Sequence, residues 1–183
     1  GYKSDWKLLN SSDYGVSQLR PRAILVALKP KYFKHFQWPA EHKKSPKSIG
    51  KLLFEEMSKL GWEDAENWKK RAKGIAPTLV GGSKKHGGAD LGPTRAKKAW
   101  AEKSVDGHGL ANEPPLNGFK GNPRLTLEMT ALVQGFPKEW KIVGKKTPAY
   151  RQVGNAFPPP VAKAVGLSIK KAIFNGEKEG VKN

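Results

Sequence analysis

Arg151-Gln152-Val153-Gly154-Asn155-Ala156-Phe157-Pro158-Pro159-Pro160 is the stretch on which the reading of this chain turns, together with the apolar residues that follow it. Pro160 can occupy the first turn of a helix, and Val161, Val165, Ile169, Ala172 and Ile173 then fall on one apolar stripe. That spacing predicts a final helix, with a fraying polar tail from Asn175. Gln152, Gly154, Asn155 and Ala156 are expected to form a compact turn just before it, where exposed backbone amides and small residues let a ligand approach. Taken alone, the same residues read as an ordinary proline-rich loop leading into a helix.

Two further segments precede it. Pro123-Arg124-Leu125-Thr126 runs on to Gln134-Gly135-Phe136-Pro137; Thr126 is placed to cap a helix that Gly135 ends, with Leu125 just outside. Near the start, residues 10–22 read Asn-Ser-Ser-Asp-Tyr-Gly-Val-Ser-Gln-Leu-Arg-Pro-Arg. Gln18, Arg20 and Arg22 alternate, so on a strand edge all three side chains would project to one side. Without other context, the simpler reading is two arginines bracketing Pro21 on a solvated turn.

In order and separation these three segments resemble motifs of the DNA (cytosine-5) methyltransferases: the Gln-x-Arg-x-Arg motif led by Asp13-Tyr14-Gly15-Val16, then the last two signature motifs. The resemblance implies that Gln18, Arg20 and Arg22 are catalytic-site residues, with Arg22 against the O2 oxygen of a flipped cytosine and Arg20 helping to order the catalytic pocket. Attack at C6 builds electron density on the ring, and a fixed guanidinium stabilises it where water is excluded. It also implies that Gln152, Gly154, Asn155 and Ala156 help line an S-adenosylmethionine pocket.

The chain departs from the family pattern in two ways. Glu128 and Met129 stand where the family has Arg-Glu, which removes the capping-box glutamate but leaves Glu128 against the helix dipole. More consequentially, there is no cysteine, hence no Pro-Cys nucleophile, and there is neither a Phe-x-Gly-x-Gly nor a Glu-Asn-Val. The resemblance therefore implies a C-terminal part of such an enzyme, inactive alone. Its partners would be double-stranded DNA and the missing N-terminal catalytic half, in the same chain or as a separate subunit, in a restriction–modification setting.

The expected fold class is α/β: the C-terminal remnant of a Rossmann-like, S-adenosylmethionine-dependent methyltransferase sheet joined to a smaller α+β target-recognition domain. Tyr2 to Leu9 and Ala23 to Leu28 read as two strands of that sheet. From Lys29 the composition turns aromatic and basic, punctuated by Pro30, Pro39 and Pro46. The expected division is residues 1–29 as catalytic-domain strands, 30–146 as recognition domain and 147–183 as the return segment with the final helix. Within the middle part, Ile49, Leu52, Leu53, Met57 and Leu60 share a helical face capped by Ser48 and stopped by Gly61. Glu63 to Lys73 is expected to be a second helix with Trp68 inward, and Ile75 to Val80 a short strand-like segment. The glycine-rich run from Gly81 to Pro93 suits a surface loop.

Charge points the same way. The 183 residues carry 34 Lys and Arg against 16 Asp and Glu, a formal charge of +18, which favours a polyanion through phosphate contacts. Lys69, Lys70, Arg71, Lys73, Lys84, Lys85, Arg95, Lys97 and Lys98 surround the glycine-rich run against the single acid Asp90. Lys84, Lys85 and Arg95 can meet phosphates or guanine edges, and Ser83, His86 and Asp90 offer shorter polar contacts. Thr78-Leu79 resembles a pair that the family often carries in its recognition domain. Arg124 and Thr126 read as holding that domain together. A solvated basic surface fits each of these residues taken singly. No apolar run reaches membrane-spanning length and no secretion signal is legible, so a cytoplasmic, bacterial-type protein is expected. Four scattered histidines and no cysteine predict no metal. The alternative is a stand-alone basic DNA-binding protein without catalysis; an RNA-binding accessory protein fits the charge but none of the motifs.

Overall fold

The structure is a computed structural model and describes residues 1–81 and 88–180. Strands β1 (Lys3–Asn10) and β2 (Pro21–Leu28) pair antiparallel, with Trp6 opposite Leu25 and Leu8 opposite Ala23. Alternation gives the pair two unlike faces. Leu9 and Val26 point into a core, whereas Trp6, Leu8 and Leu25 are 65%, 61% and 67% exposed on the other face. A 3-10 turn, Ser11–Tyr14, connects them and ends at Gly15, whose φ of 82° is a left-handed conformation open to glycine.

The inward face of the strands forms one apolar cluster from Leu9, Tyr14, Val16, Val26, Val161 and Val165, with Phe36 and Trp38 packed on it. Val161 and Val165 come from helix α7 (Pro159–Gly180), and Phe36 follows the short helix α1 (Pro30–Phe33). The change in packing thus falls after Trp38, later than the change in composition at Lys29. Gly176 lets α7 cross α1 closely, because a Cβ there would lie 2.8 Å from the Lys31 carbonyl oxygen. The expected fraying from Asn175 does not occur. Lys31 pairs with Glu177 at 3.0 Å, Tyr32 donates to the same carboxylate, and Lys34 and His35 hold Glu179, so α1 anchors the last turns. Of the expected stripe, Val161, Val165 and Ala172 are buried and Ile169 is partly so, but Ile173 is exposed.

A second cluster gathers Ile49, Leu53, Met57, Trp68, Leu79, Leu91, Trp100, Leu125, Met129 and Tyr150. Helix α2 (Ile49–Ser58) starts at Ser48, whose hydroxyl accepts from Lys51 N. Its next orphan donors, the N–H groups of Ile49 and Gly50, meet the carbonyls of Gly74 and Ala72 just past α3 (Ala65–Arg71). Leu60, expected on the same apolar face, lies beyond the helix and is exposed. Helix α5 (Leu127–Gln134) begins at Thr126 and ends at Gly135 as expected, with the Met129 sulfur at 3.5 Å from Thr126 N where a glutamate would complete a capping box.

Three elements differ from expectation. Ile75 to Val80 makes no strand, only one parallel bridge from Ala76 to Gln18, because Pro77 has no N–H to continue a ladder. Thr94–Ala101 is a helix, α4, that the lysine-rich pattern concealed; Ala96 and Trp100 mark its inner side. Lys146–Asn155 is also a helix, α6, with Pro148 in its first turn, where a missing N–H is harmless.

Candidate functional site: a buried junction beneath an exposed arginine

Gln18 and Arg20 are buried, and Arg22 alone of the three lies on β2. They therefore do not line one side of a strand edge. The turn after β1 breaks the extended pairing: Asn10 Oδ1 accepts from Arg20 N at 3.0 Å, and Ser11 Oγ donates to the Gln18 carbonyl at 3.0 Å. Arg22, half-buried, donates to its neighbour's Pro21 carbonyl at 2.7 Å and to no other acceptor among the described residues.

The buried pair joins segments far apart in sequence. Gln18 Oε1 accepts from Leu79 N at 2.7 Å, and its Nε2 donates to Gln134 Oε1 at 2.7 Å and to the Val133 carbonyl at 3.3 Å. Arg20 donates to the Leu79 carbonyl at 2.5 Å, the Gly154 carbonyl at 2.6 Å and the Ala156 carbonyl at 3.5 Å. Gln134 Nε2 closes the circuit on the Ala156 carbonyl at 2.6 Å. Among the described residues no carboxylate pairs with Arg20, and its hydrogen bonds all go to backbone carbonyls. Burial, with Arg22 nearby, lowers its pKa to about 10, still far above neutrality. Tyr150 stands close to it, and burial raises the pKa of that phenol, whose oxygen has no hydrogen-bond partner among the described residues.

The residues expected to line a ligand pocket sit at the end of α6, not in a turn ahead of a helix N-terminus. A helix C-terminus presents carbonyls, and Arg20 takes them; Pro158, Pro159 and Pro160 then deprive the start of α7 of N–H donors. Gln152 Nε2 is engaged by the Val143 carbonyl at 2.9 Å. Gly154 is buried against chain, since a Cβ there would lie 2.5 Å from Gly81 Cα. Asn155 is exposed and its carboxamide has no hydrogen-bond partner among the described residues.

On the basic side, Thr78 Oγ1 donates to the Leu19 carbonyl at 2.5 Å. The Leu79 side chain is fully buried, so it cannot touch DNA; its role here is through its backbone. Asp90 pairs with Lys97 at 2.9 Å and accepts from Gly92 N, shaping its own turn, and Leu91 beside it is in the core, so this part of the glycine-rich run is not a free surface loop. Arg95 on α4 is exposed, as are Lys70, Lys73 and Lys98, and none of the four has an acid partner among the described residues, whereas Lys69 and Arg71 pair with Glu66 and Asp64. Ser83, Lys84, Lys85 and His86 lie outside the described residues. Arg124 braces Asp106 at 2.8 Å, as expected of a structural residue; burial opposes the Asp106 charge, but Arg124 and His108 overcome it and hold the carboxyl at about 2.

Sequence reasoning missed Gln134, Asn10 and Gly81. Gln134 stood inside a quoted motif, a polar residue between Val133 and Gly135, yet its partners are remote in sequence. Among the described residues no helix is long and apolar enough to cross a membrane, and no group of three His, Asp or Glu could hold a metal.

The comparisons with known proteins bear on the whole chain. The family profile described as C-5 cytosine-specific DNA methylase matches residues 1–171. The type II methyltransferase M.NaeI of Lentzea aerocolonigenes is 55% identical over 183 residues, covering 98% of this chain and 44% of its own length. M.NgoMIV of Neisseria gonorrhoeae, also a type II methyltransferase, is 50% identical over 176 residues, covering 94% and 55%. A prophage-encoded E. coli protein, described as a candidate DNA modification methyltransferase, shares the fold with a TM-score of 0.52 at 18% identity, over 97% of this chain and 61% of that one. The chain thus spans about half the length of the curated relatives it matches.

Proposed function

From the premise that this chain belongs to the C-5 cytosine-specific DNA methylase family, we propose that it is the C-terminal part of a bacterial-type, restriction–modification DNA (cytosine-5) methyltransferase. Residues 1–29 and 147–183 belong to the catalytic domain in this reading and 30–146 form the target-recognition domain, with the segment up to Trp38 packed on the catalytic side. One observation carries it: Gln18 and Arg20 are consumed in a buried junction, while the adjacent Arg22 is left half-buried with only the Pro21 carbonyl as partner.

That arrangement suits stabilisation of a ring that gains electron density. In the complete enzyme a cytosine is flipped out of duplex DNA, and a cysteine from the N-terminal half forms a bond to C6. The ring density then moves toward O2 and N3, and the Arg22 guanidinium donates hydrogen bonds to O2. S-adenosylmethionine, when bound, would supply the methyl group that C5 takes up; loss of the C5 proton and expulsion of the cysteine from C6 then restore the aromatic ring.

Towards that cofactor this chain offers an edge, not a cradle. Gln152 and Gly154 are occupied within the protein, and the Asn155 carboxamide is the polar group left to meet a ligand. The residues present fit one wall of a site whose remainder lies in the N-terminal half. The unpaired Arg95, Lys70, Lys73 and Lys98 suit phosphate contacts, and Lys84, Lys85, Ser83 and His86 remain candidates for the groove. The exposed face of Trp6, Leu8 and Leu25 is where further strands and helices of the catalytic domain would pack.

Transfer of tritium from labelled S-adenosylmethionine to duplex DNA tests the reading. Label is expected when this chain is combined with its N-terminal half and not with the chain alone. Tight binding to DNA without transfer by the combined, soluble protein would favour a stand-alone binding protein instead.

A further inference from the structure

The proposed reading places Thr78 to Gly81 in the target-recognition domain and Gly154 to Ala156 in the catalytic domain beside the cofactor, yet at Gly81 and Gly154 the two segments have no side-chain layer between their backbones. A Cβ on Gly81 would lie 2.3 Å from Asn155 Oδ1 and 2.7 Å from its Cγ; a Cβ on Gly154 would lie 2.5 Å and 2.7 Å from the Cα and N of Gly81. Where Gly154 meets Gly81 the contact is backbone against backbone and passes a displacement from one segment to the other with no rotamer to absorb it, whereas a side chain at Gly81 would push the Asn155 carboxamide aside.

A closed circuit of hydrogen bonds reinforces the contact. It runs from Leu79 N to Gln18, from Gln18 to Gln134, from Gln134 to the Ala156 carbonyl, and back through Arg20 to the Leu79 carbonyl. The Arg20 guanidinium is a rigid planar fork, so it fixes the spacing between the Leu79 and Gly154 carbonyls that it joins. Beyond the circuit, the Asn155 carboxamide is the polar group that a side chain at Gly81 would displace.

We propose that these two segments move as one rigid element, which makes Gly81 and Arg20 positioning residues that couple DNA engagement to cofactor affinity. The inference rests on the functional reading above. Its consequence is specific: a change on the recognition-domain side of the contact is read out at the cofactor.

The test uses the complete protein, this chain with its N-terminal half. Calorimetry measures the Kd of S-adenosylhomocysteine, which permits no turnover, with and without a duplex carrying the sequence the protein methylates. In the unsubstituted protein the duplex tightens that Kd by roughly fivefold or more, the lower range of ordinary coupling. Gly81→Ala, which presses on Asn155, weakens S-adenosylhomocysteine binding by a similar factor while duplex affinity changes less. Arg20→Lys, which lacks the fork, brings the coupling factor towards one. A Gly81→Ala protein that loses duplex affinity as much as or more than cofactor affinity would overturn the proposal. So would Arg20→Lys with its full coupling, or an unsubstituted protein in which the duplex has no effect. Failure of the unsubstituted protein to bind S-adenosylhomocysteine at all would instead bring down the functional reading, and the inference with it.

Discussion

Arg22→Ala in the complete enzyme separates chemistry from folding. Among the described residues the half-buried Arg22 guanidinium meets only the Pro21 carbonyl, so its removal leaves no buried partner orphaned there. Stability is then expected to change by no more than about 0.5 kcal/mol. Duplex affinity should fall far less than the rate, because in this reading Arg22 meets one flipped base and no phosphate. The chemical step is a different matter, because a donor aimed at developing charge in a dry site contributes about 3–4 kcal/mol, a loss of about 10²–10³ in kcat. Single-turnover methyl transfer at saturating DNA and S-adenosylmethionine, alongside fluorescence anisotropy and thermal melting, measures the three quantities together. Equal losses of rate and duplex affinity would refute the role assigned to Arg22, as would a large fall in Tm.

Arg20→Met should behave in the opposite way. It strips the donor from the Leu79 and Gly154 carbonyls while Gln134 still serves Ala156, so urea unfolding is expected to show a loss of about 2–4 kcal/mol. Gly50→Ala gains about 1 kcal/mol of helix propensity but places a Cβ 2.3 Å from the Lys69 carbonyl oxygen, a backbone atom; a net loss of about 1–3 kcal/mol at the urea midpoint is expected, and a net gain would contradict the packing. Asp106 titrates below its ordinary 3.8, so its contribution to stability is complete above that pH and disappears as pH falls through about 2; Asp106→Asn should flatten acid unfolding in that window and leave the alkaline side unchanged. The chain expressed alone should self-associate through the Trp6, Leu8 and Leu25 face, so a clean monomer in light scattering would count against the covered-face reading.

The parts of the fold that were legible are those written in neighbouring residues. Thr126 and Gly135 delimit α5, Ser48 begins α2, and alternation located β1 and β2, because caps and periodicity are local signals. The junction was legible only as a motif. That Gln18 and Arg20 are buried depends on carbonyls at positions 79, 133, 154 and 156, which no local pattern announces. Helix α6 was misread because Pro148 and Gly154 look like breakers, although one occupies a permissive first turn and the other a close backbone crossing. The tail of α7 was misread for a related reason. Its polar residues are held by Tyr32, Lys34 and His35, far back in the chain.

Bisulfite sequencing of DNA from methylation-deficient cells tests the central claim most directly. The cells would express this chain alone, or with its N-terminal half. Methylcytosine confined to one short recognition sequence, and only in paired expression, is the result the structure and the family membership predict. Unmethylated DNA from cells in which both polypeptides are soluble and intact would contradict it.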